Sequence, residues 1–179
     1  KSELYEKHKD WVIHLPNRDE YYFRNQLVLD MGRKDVQEYI KKCFFDIMDQ
    51  ANIEYVKLDM NRSIGNVYAN DLPAQRQGEV LHRYVLGLYN VLNAIVERYP
   101  DLLIESCSGG GGRFDAGMLY YAPQAWCSDN TDAIDRIKIQ YGSSFGYPIS
   151  SVGSHVSVCP NEQTGRTVPI ETRGAVAMA

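Results

Sequence analysis

The sequence predicts an α/β fold on a parallel sheet, as part of a (β/α)8 TIM barrel. Three observations carry this. Short apolar runs alternate with amphipathic stretches along the 179 residues, the pattern of strand–helix–strand units joined by right-handed crossovers. The runs are apolar enough for strands buried on both faces, as in a doubly wound sheet or a (β/α)8 barrel, and the polar clusters choose between the two. Carboxylates and glycines recur just after successive runs, and in a barrel those strand ends converge on one mouth. Five strand candidates make only part of a barrel, so residues 1–179 are expected to be a fragment with its middle and later strands. Lys1 in place of a Met, and an uncapped Arg173-Gly174-Ala175-Val176-Ala177-Met178 near the other end, give the same expectation of an internal piece.

The elements follow in order. Residues 1–25 are polar and aromatic, with Pro16 and no sustained period, and read as a loop-rich opening segment. Gln26–Asp30 is the first strand candidate, a short apolar run ending in a carboxylate. A helix begins near Lys34, where Val36, Ile40, Phe44 and Ile47 share a stripe flanked by Tyr39 and Cys43. Glu54–Asp59 has strand character and opens into the polar cluster Asp59-Met60-Asn61-Arg62. The longest helix is expected from Pro73 to Tyr99, with Leu81, Val85, Leu88, Leu92, Ile95 and Tyr99 on one face. Pro73 suits its first turn and Pro100 stops it. Leu102–Ser106 is the next strand candidate, followed by Cys107-Ser108 and a glycine run. Gln124–Ser128 is another, ending in Asp129-Asn130-Thr131-Asp132 after a Trp126 expected to be buried. A shorter helix fits Ala133–Tyr141, and the last strand candidate lies near Ile149–Val152.

Composition narrows the function classes. The chain is 44% hydrophobic and 23% charged, ordinary for a globular protein and unlike a disordered or collagenous one. No run of ~18 apolar residues is present, so no membrane span is expected. The net charge of −4 comes without any basic block, so no nucleic-acid or membrane-surface partner is expected. Cys43, Cys107, Cys127 and Cys159 form no CxxC, and His8, His14, His82 and His155 form no HxxxH pair. Neither a disulfide framework nor a metal site is expected, and the thiols suit a reducing, cytoplasmic setting.

Asp59 and Asp129 are the carboxylates singled out for chemistry. Both follow strand candidates, and two acids at a barrel mouth in unequal environments are what glycoside cleavage needs. Lys57 shares a strand face with Asp59 by the period of two, and its ammonium would favour the Asp59 carboxylate. Asn61 adds an amide for hydroxyl recognition. A helix cap or surface acid is the plainer alternative for Asp59. The glycine run Gly109-Gly110-Gly111-Gly112 would admit backbone N–H groups close to a ligand. It lacks the Gly-Lys-Ser/Thr of a phosphate loop and the spacing of a dinucleotide fingerprint, and a flexible turn would also explain it. Cys107 has no histidine near it in sequence to act as a base. One of Asn130, Thr131 and Asp132 is expected to be a plain helix N-cap.

Together, Lys57-Leu58-Asp59-Met60-Asn61-Arg62, Glu105-Ser106-Cys107-Ser108 with Arg113-Phe114-Asp115, and Ser128-Asp129-Asn130-Thr131-Asp132 resemble the α-galactosidases of glycoside hydrolase family 36. The resemblance runs from about Tyr5 to Val158. It implies a catalytic barrel, with Asp59 the nucleophile and Asp129 the general acid/base of a retaining exo-α-galactosidase. Lys57, Asn61, Cys107 and Gly110 would line the galactose pocket, and Arg24 matches a sugar-binding arginine. The implied partners are galactose-containing oligosaccharides such as melibiose and raffinose, with no cofactor, in a full-length homo-oligomer. Transfer of galactose to a sugar hydroxyl, as in raffinose or stachyose synthesis, would use the same residues. A non-catalytic carbohydrate-binding barrel would need neither Asp59 nor Asp129. Leu58 replaces a Trp found in many members. The upstream aspartate pair and tryptophan of the family, and its flanking β domains, are absent from this sequence.

Overall fold

The structure, a computed structural model, describes residues 2–179. The described residues divide into two compact units, 2–54 with 62–102 and 55–61 with 103–179.

The first unit is helical. A short helix α1 (Glu3–Lys7), where a loop is expected from sequence, is capped by Ser2, whose hydroxyl accepts from the Tyr5 N–H. Residues 11–13 and 28–30 then pair antiparallel. Ile13 N–H donates to Val28 O at 2.9 Å and Asp30 N–H to Trp11 O at 2.7 Å. The pairing amounts to one Val12–Leu29 bridge, so Gln26–Asp30 is not a sheet strand. Helix α2 (Lys34–Met48) starts where the period placed it, although Ile47 of its expected stripe is 62% exposed. A 3-10 segment (Ala74–Glu79) leads into helix α3 (Val80–Arg98), so the long helix is α-helical from Val80, after Pro73 and Gly78.

α3 packs on α2 with Val80, Tyr84, Gly87, Val91, Leu92 and Ile95 buried, while the predicted Leu81 and Val85 lie outside. The helix is apolar on two sides, so spacing alone could not choose between them. Gly87 decides: a Cβ there would lie 1.7 Å from Met31 O. The Gln37 amide spans the same contact, donating to Met31 O at 2.8 Å and accepting from Asn90 at 2.7 Å.

The second unit is α/β. Strands β1 (Tyr55–Asp59), β2 (Leu103–Cys107) and β3 (Gln124–Ala125) form a parallel sheet in that order. The register sets Lys57 beside Glu105 and Asp59 beside Cys107. Burial on both faces holds for β2 from Ile104 to Cys107, but alternate residues of β1 are exposed. The run Gln124–Ser128 leaves the sheet after Ala125. Ile149–Ser151 is a 3-10 turn following Pro148, and only Val152 bridges to Ala125. Helices α4 (Ala116–Tyr121), α5 (Ala133–Ser144) and α6 (Ile170–Ala177) complete the unit. α4 and α6 escaped the sequence reading because one is six residues long and the other has little amphipathic contrast.

Candidate active site

The end of β1 carries Lys57 and Asp59 on one face, and Asn61 follows two residues beyond the strand. The Asn61 amide donates to Asp59 Oδ2 at 2.7 Å, and its own oxygen accepts from the Gly109 N–H at 3.0 Å. Partial burial disfavours the charged form of Asp59. Hydrogen bonds from Asn61, the Cys107 thiol and the Gly109 backbone, with the Lys57 ammonium nearby, outweigh it and hold the carboxyl below its usual range. Burial, and then the Asp59 charge beside it, push the Cys107 thiol up despite a bond from the Gly110 backbone. Cys107 is therefore a protonated donor to Asp59 and not a nucleophile.

Lys57 is oriented from the neighbouring strand. Its Nζ lies 2.9 Å from Glu105 Oε1, and the Glu105 side chain is only 7% exposed. The Tyr55 hydroxyl donates to the other oxygen of Glu105. Burial and the Glu105 contact push the Tyr55 phenol up to about 12, so it remains a donor. Glu105 was missed as a site residue. The available signal was a single carboxylate within the apolar run of a predicted strand.

The glycine segment is a packed turn, neither a flexible link nor a phosphate loop. Ser108 Oγ donates to Met60 O at 2.7 Å, and Gly112 N–H donates to Ser108 O at 3.1 Å. Arg113 donates to Leu58 O at 3.0 Å and Cys107 O at 2.8 Å, tying the turn to both strand ends. Gly110 has φ +82°, and a Cβ there would come within 2.9 Å of both Ser128 Cα and Asp129 N. Gly110→Ala is expected to cost about 2 kcal/mol or more, from left-handed strain and overlap combined. Gly109→Ala should cost less, since its Cβ would meet only Asn61 Oδ1, at 3.9 Å. Thermal melting of the two variants in the full-length protein checks this; equal losses would contradict it.

Asp129 follows β3 and is exposed, and Trp126 is half-buried where full burial was expected. The Trp126 indole N–H donates to Asp129 Oδ1 at 3.1 Å. The Asp129 loop is fixed by Arg136 on α5, which is 3% exposed. Its guanidinium donates to Ser128 O at 2.6 Å, Asn130 O at 2.8 Å and Gly153 O at 3.1 Å. Asp132 is the N-cap of α5, accepting from the N–H groups of Ile134 and Asp135. It also takes the Thr164 hydroxyl at 2.7 Å and an ion pair with Arg166. Of the three polar residues after Asp129, Asp132 is thus the cap. Sequence reading missed Arg136, since a basic residue inside a helix gives no sign of its burial.

Lys57, Asp59, Asn61, Cys107, Gly110 and Asp129 all belong to the second unit. Arg24 belongs to the first, in a tight turn where Arg24 and Asn25 have φ 51° and 59°. Arg62 secures that segment, donating to Gln26 O at 3.1 Å and Tyr21 O at 2.8 Å.

Comparison with known proteins identifies relatives of this chain. A family model described as Melibiase matches residues 1–179. Alpha-galactosidase Mel36A of Lactobacillus acidophilus is 58% identical over 177 residues, 99% of this chain and 24% of that protein. Alpha-galactosidase AgaA of Geobacillus stearothermophilus is 57% identical over 178 residues, again 99% of this chain and 24% of that protein. The crystal structure of AgaA, a GH36 alpha-galactosidase, matches with a TM-score of 0.97, covering 99% of this chain and 25% of that one. A substituted AgaA in complex with raffinose matches with TM-score 0.97 at 56% identity, over 99% of this chain and 25% of that one. The chain therefore spans about a quarter of the length of the relatives it matches.

Proposed function

The chain belongs to the melibiase family, and we propose that it is part of the (β/α)8 catalytic domain of a retaining exo-α-galactosidase. The observation that carries this is the Asp59 carboxylate, kept anionic by Asn61, Cys107 and Lys57 at the end of a parallel strand. Relatives that share the chain are named alpha-galactosidases, and one is known in complex with raffinose.

In this reading the Asp59 carboxylate attacks the anomeric carbon. The glycosidic C–O bond breaks, and the leaving oxygen takes a proton from Asp129. Asp129, now ionised, removes a proton from water, whose oxygen displaces Asp59 and releases galactose with retained configuration. Lys57, Asn61, Cys107 and the Gly110 backbone bind sugar hydroxyls. Substrates are terminal α-galactosides such as melibiose and raffinose.

The test is to follow galactose release from melibiose by the full-length protein with NMR. The α-anomer should appear first. The β-anomer first, or no release, would overturn the reading. Lys57→Met should lower kcat/KM by about 100-fold or more while the fold survives, since a charge-assisted contact and a field on Asp59 are both lost. Its sign in pH is fixed: without the ammonium Asp59 protonates more readily, so the acidic limb of the kcat/KM profile moves to higher pH. An unmoved limb would show that Lys57 does not act on Asp59.

A further inference from the structure

We propose that Trp126 is a positioning residue for the acid/base step, fixing Asp129 so that its Oδ2 is the oxygen that gives and regains the proton. The inference rests on the reading of Asp129 as acid/base above.

The indole is held from several directions. The Trp126 backbone N–H donates to Ser106 O at 2.9 Å, anchoring the residue where the run leaves the sheet. The His155 ring stacks on it at 4.9 Å between centroids and 5° between planes. The Arg136 guanidinium carbon lies 4.5 Å from the ring centre, and Lys57 Nζ lies 4.6 Å from it. Neither cation is free to swing away. Arg136 is bonded to three backbone carbonyls, and Lys57 is paired with the buried Glu105. Cations over the indole face are attracted by its quadrupole, so these contacts favour the observed ring position.

A ring so enclosed points its N–H one way, at Asp129 Oδ1, 3.1 Å away. An indole N–H only donates; it offers no lone pair. Oδ1 therefore accepts from Trp126 whether Asp129 is ionised or protonated, and the mobile proton is carried by Oδ2. When the glycosidic bond breaks, the Oδ2–H proton passes to the leaving oxygen, which keeps the bonding pair. When water attacks, its proton returns to Oδ2 as its oxygen bonds the anomeric carbon and Asp59 departs. Asp129 is exposed and would otherwise rotate about its side-chain bonds, so a fixed donor on one oxygen is what aims the other.

The test uses the full-length enzyme with two replacements at position 126. Trp126→Phe keeps an aromatic ring and removes the donor. Incorporation of 3-benzothienylalanine keeps the bicyclic shape and puts sulfur in place of the N–H, so it decides the matter should the Phe variant fold poorly. In both, kcat/KM on raffinose, which reads the first step, should fall by about 10–100-fold. On a dinitrophenyl α-galactoside, whose leaving group needs no proton, kcat/KM should fall by less than about threefold. A residue that served only packing would slow both substrates together. Equal losses, or full raffinose turnover in the isostere, would overturn the proposal. Asp129→Ala is run beside them. If it shows no leaving-group dependence either, the acid/base reading itself has failed, and the two failures are distinguished.

Discussion

Asp59→Ala is expected to remove turnover on every α-galactoside, by on the order of 10⁴-fold or more, whatever the leaving group. The reason lies in what Asp59 supplies. A proton donor can be bypassed by a better leaving group, but the attacking oxygen cannot. The surroundings of Asp59 are arranged for the charged form, with the Asn61 amide at 2.7 Å and the Lys57 ammonium near it. Removing the carboxylate leaves those donors without their acceptor, so substrate binding changes too. Initial rates on raffinose and on a dinitrophenyl α-galactoside check this. Added azide can occupy the vacated space and attack the anomeric carbon directly, which would give the β-linked galactosyl azide by single inversion. An Asp59→Ala enzyme with ordinary turnover on the activated substrate would mean that another group is the nucleophile.

Asp129→Ala should behave differently. Loss of the general acid is expected to slow raffinose hydrolysis by about 10²–10⁴-fold. With an aryl leaving group that needs no proton, the first step should be nearly spared and the galactosyl-enzyme should accumulate, because no base remains to activate water. Azide needs no base. It should restore the second step and yield the α-linked galactosyl azide, by two inversions. Product anomers are read by NMR. The β-azide from this variant, or rescue of raffinose turnover, would reverse or remove the role given to Asp129.

Much of this site was legible in the sequence because its chemistry sits on strand ends, where a period of two fixes the face. Lys57 and Asp59 share a face by that period, their roles came from the resemblance of the motifs, and the register sets Asp59 beside Cys107. The start of α2 followed from apolar spacing. The buried face of α3 did not, because two of its faces are apolar and the choice depends on the 1.7 Å approach at Gly87, a tertiary fact. Gln26–Asp30 has the composition of a strand, yet it finds only a single bridge to Val12. The supports of the site were the least visible. Arg136 acts through contacts with residues distant in the chain, so nothing local in sequence marks it, and Glu105 shows there only as a carboxylate inside an apolar run. The glycine run was ambiguous for the same reason: its turn geometry and its packing on residues 128–129 are what separate it from a flexible link.

The central claim, that Asp59 forms a covalent bond to the sugar, is tested most directly by trapping that bond. A fluorinated, activated α-galactoside, which forms the galactosyl-enzyme faster than it is released, is incubated with the full-length protein. The digest is then read by tandem mass spectrometry. One fluorogalactosyl adduct is expected, on Asp59 within the peptide carrying Lys57-Leu58-Asp59-Met60-Asn61. An adduct on Asp129, or inactivation without any labelled peptide, would contradict it.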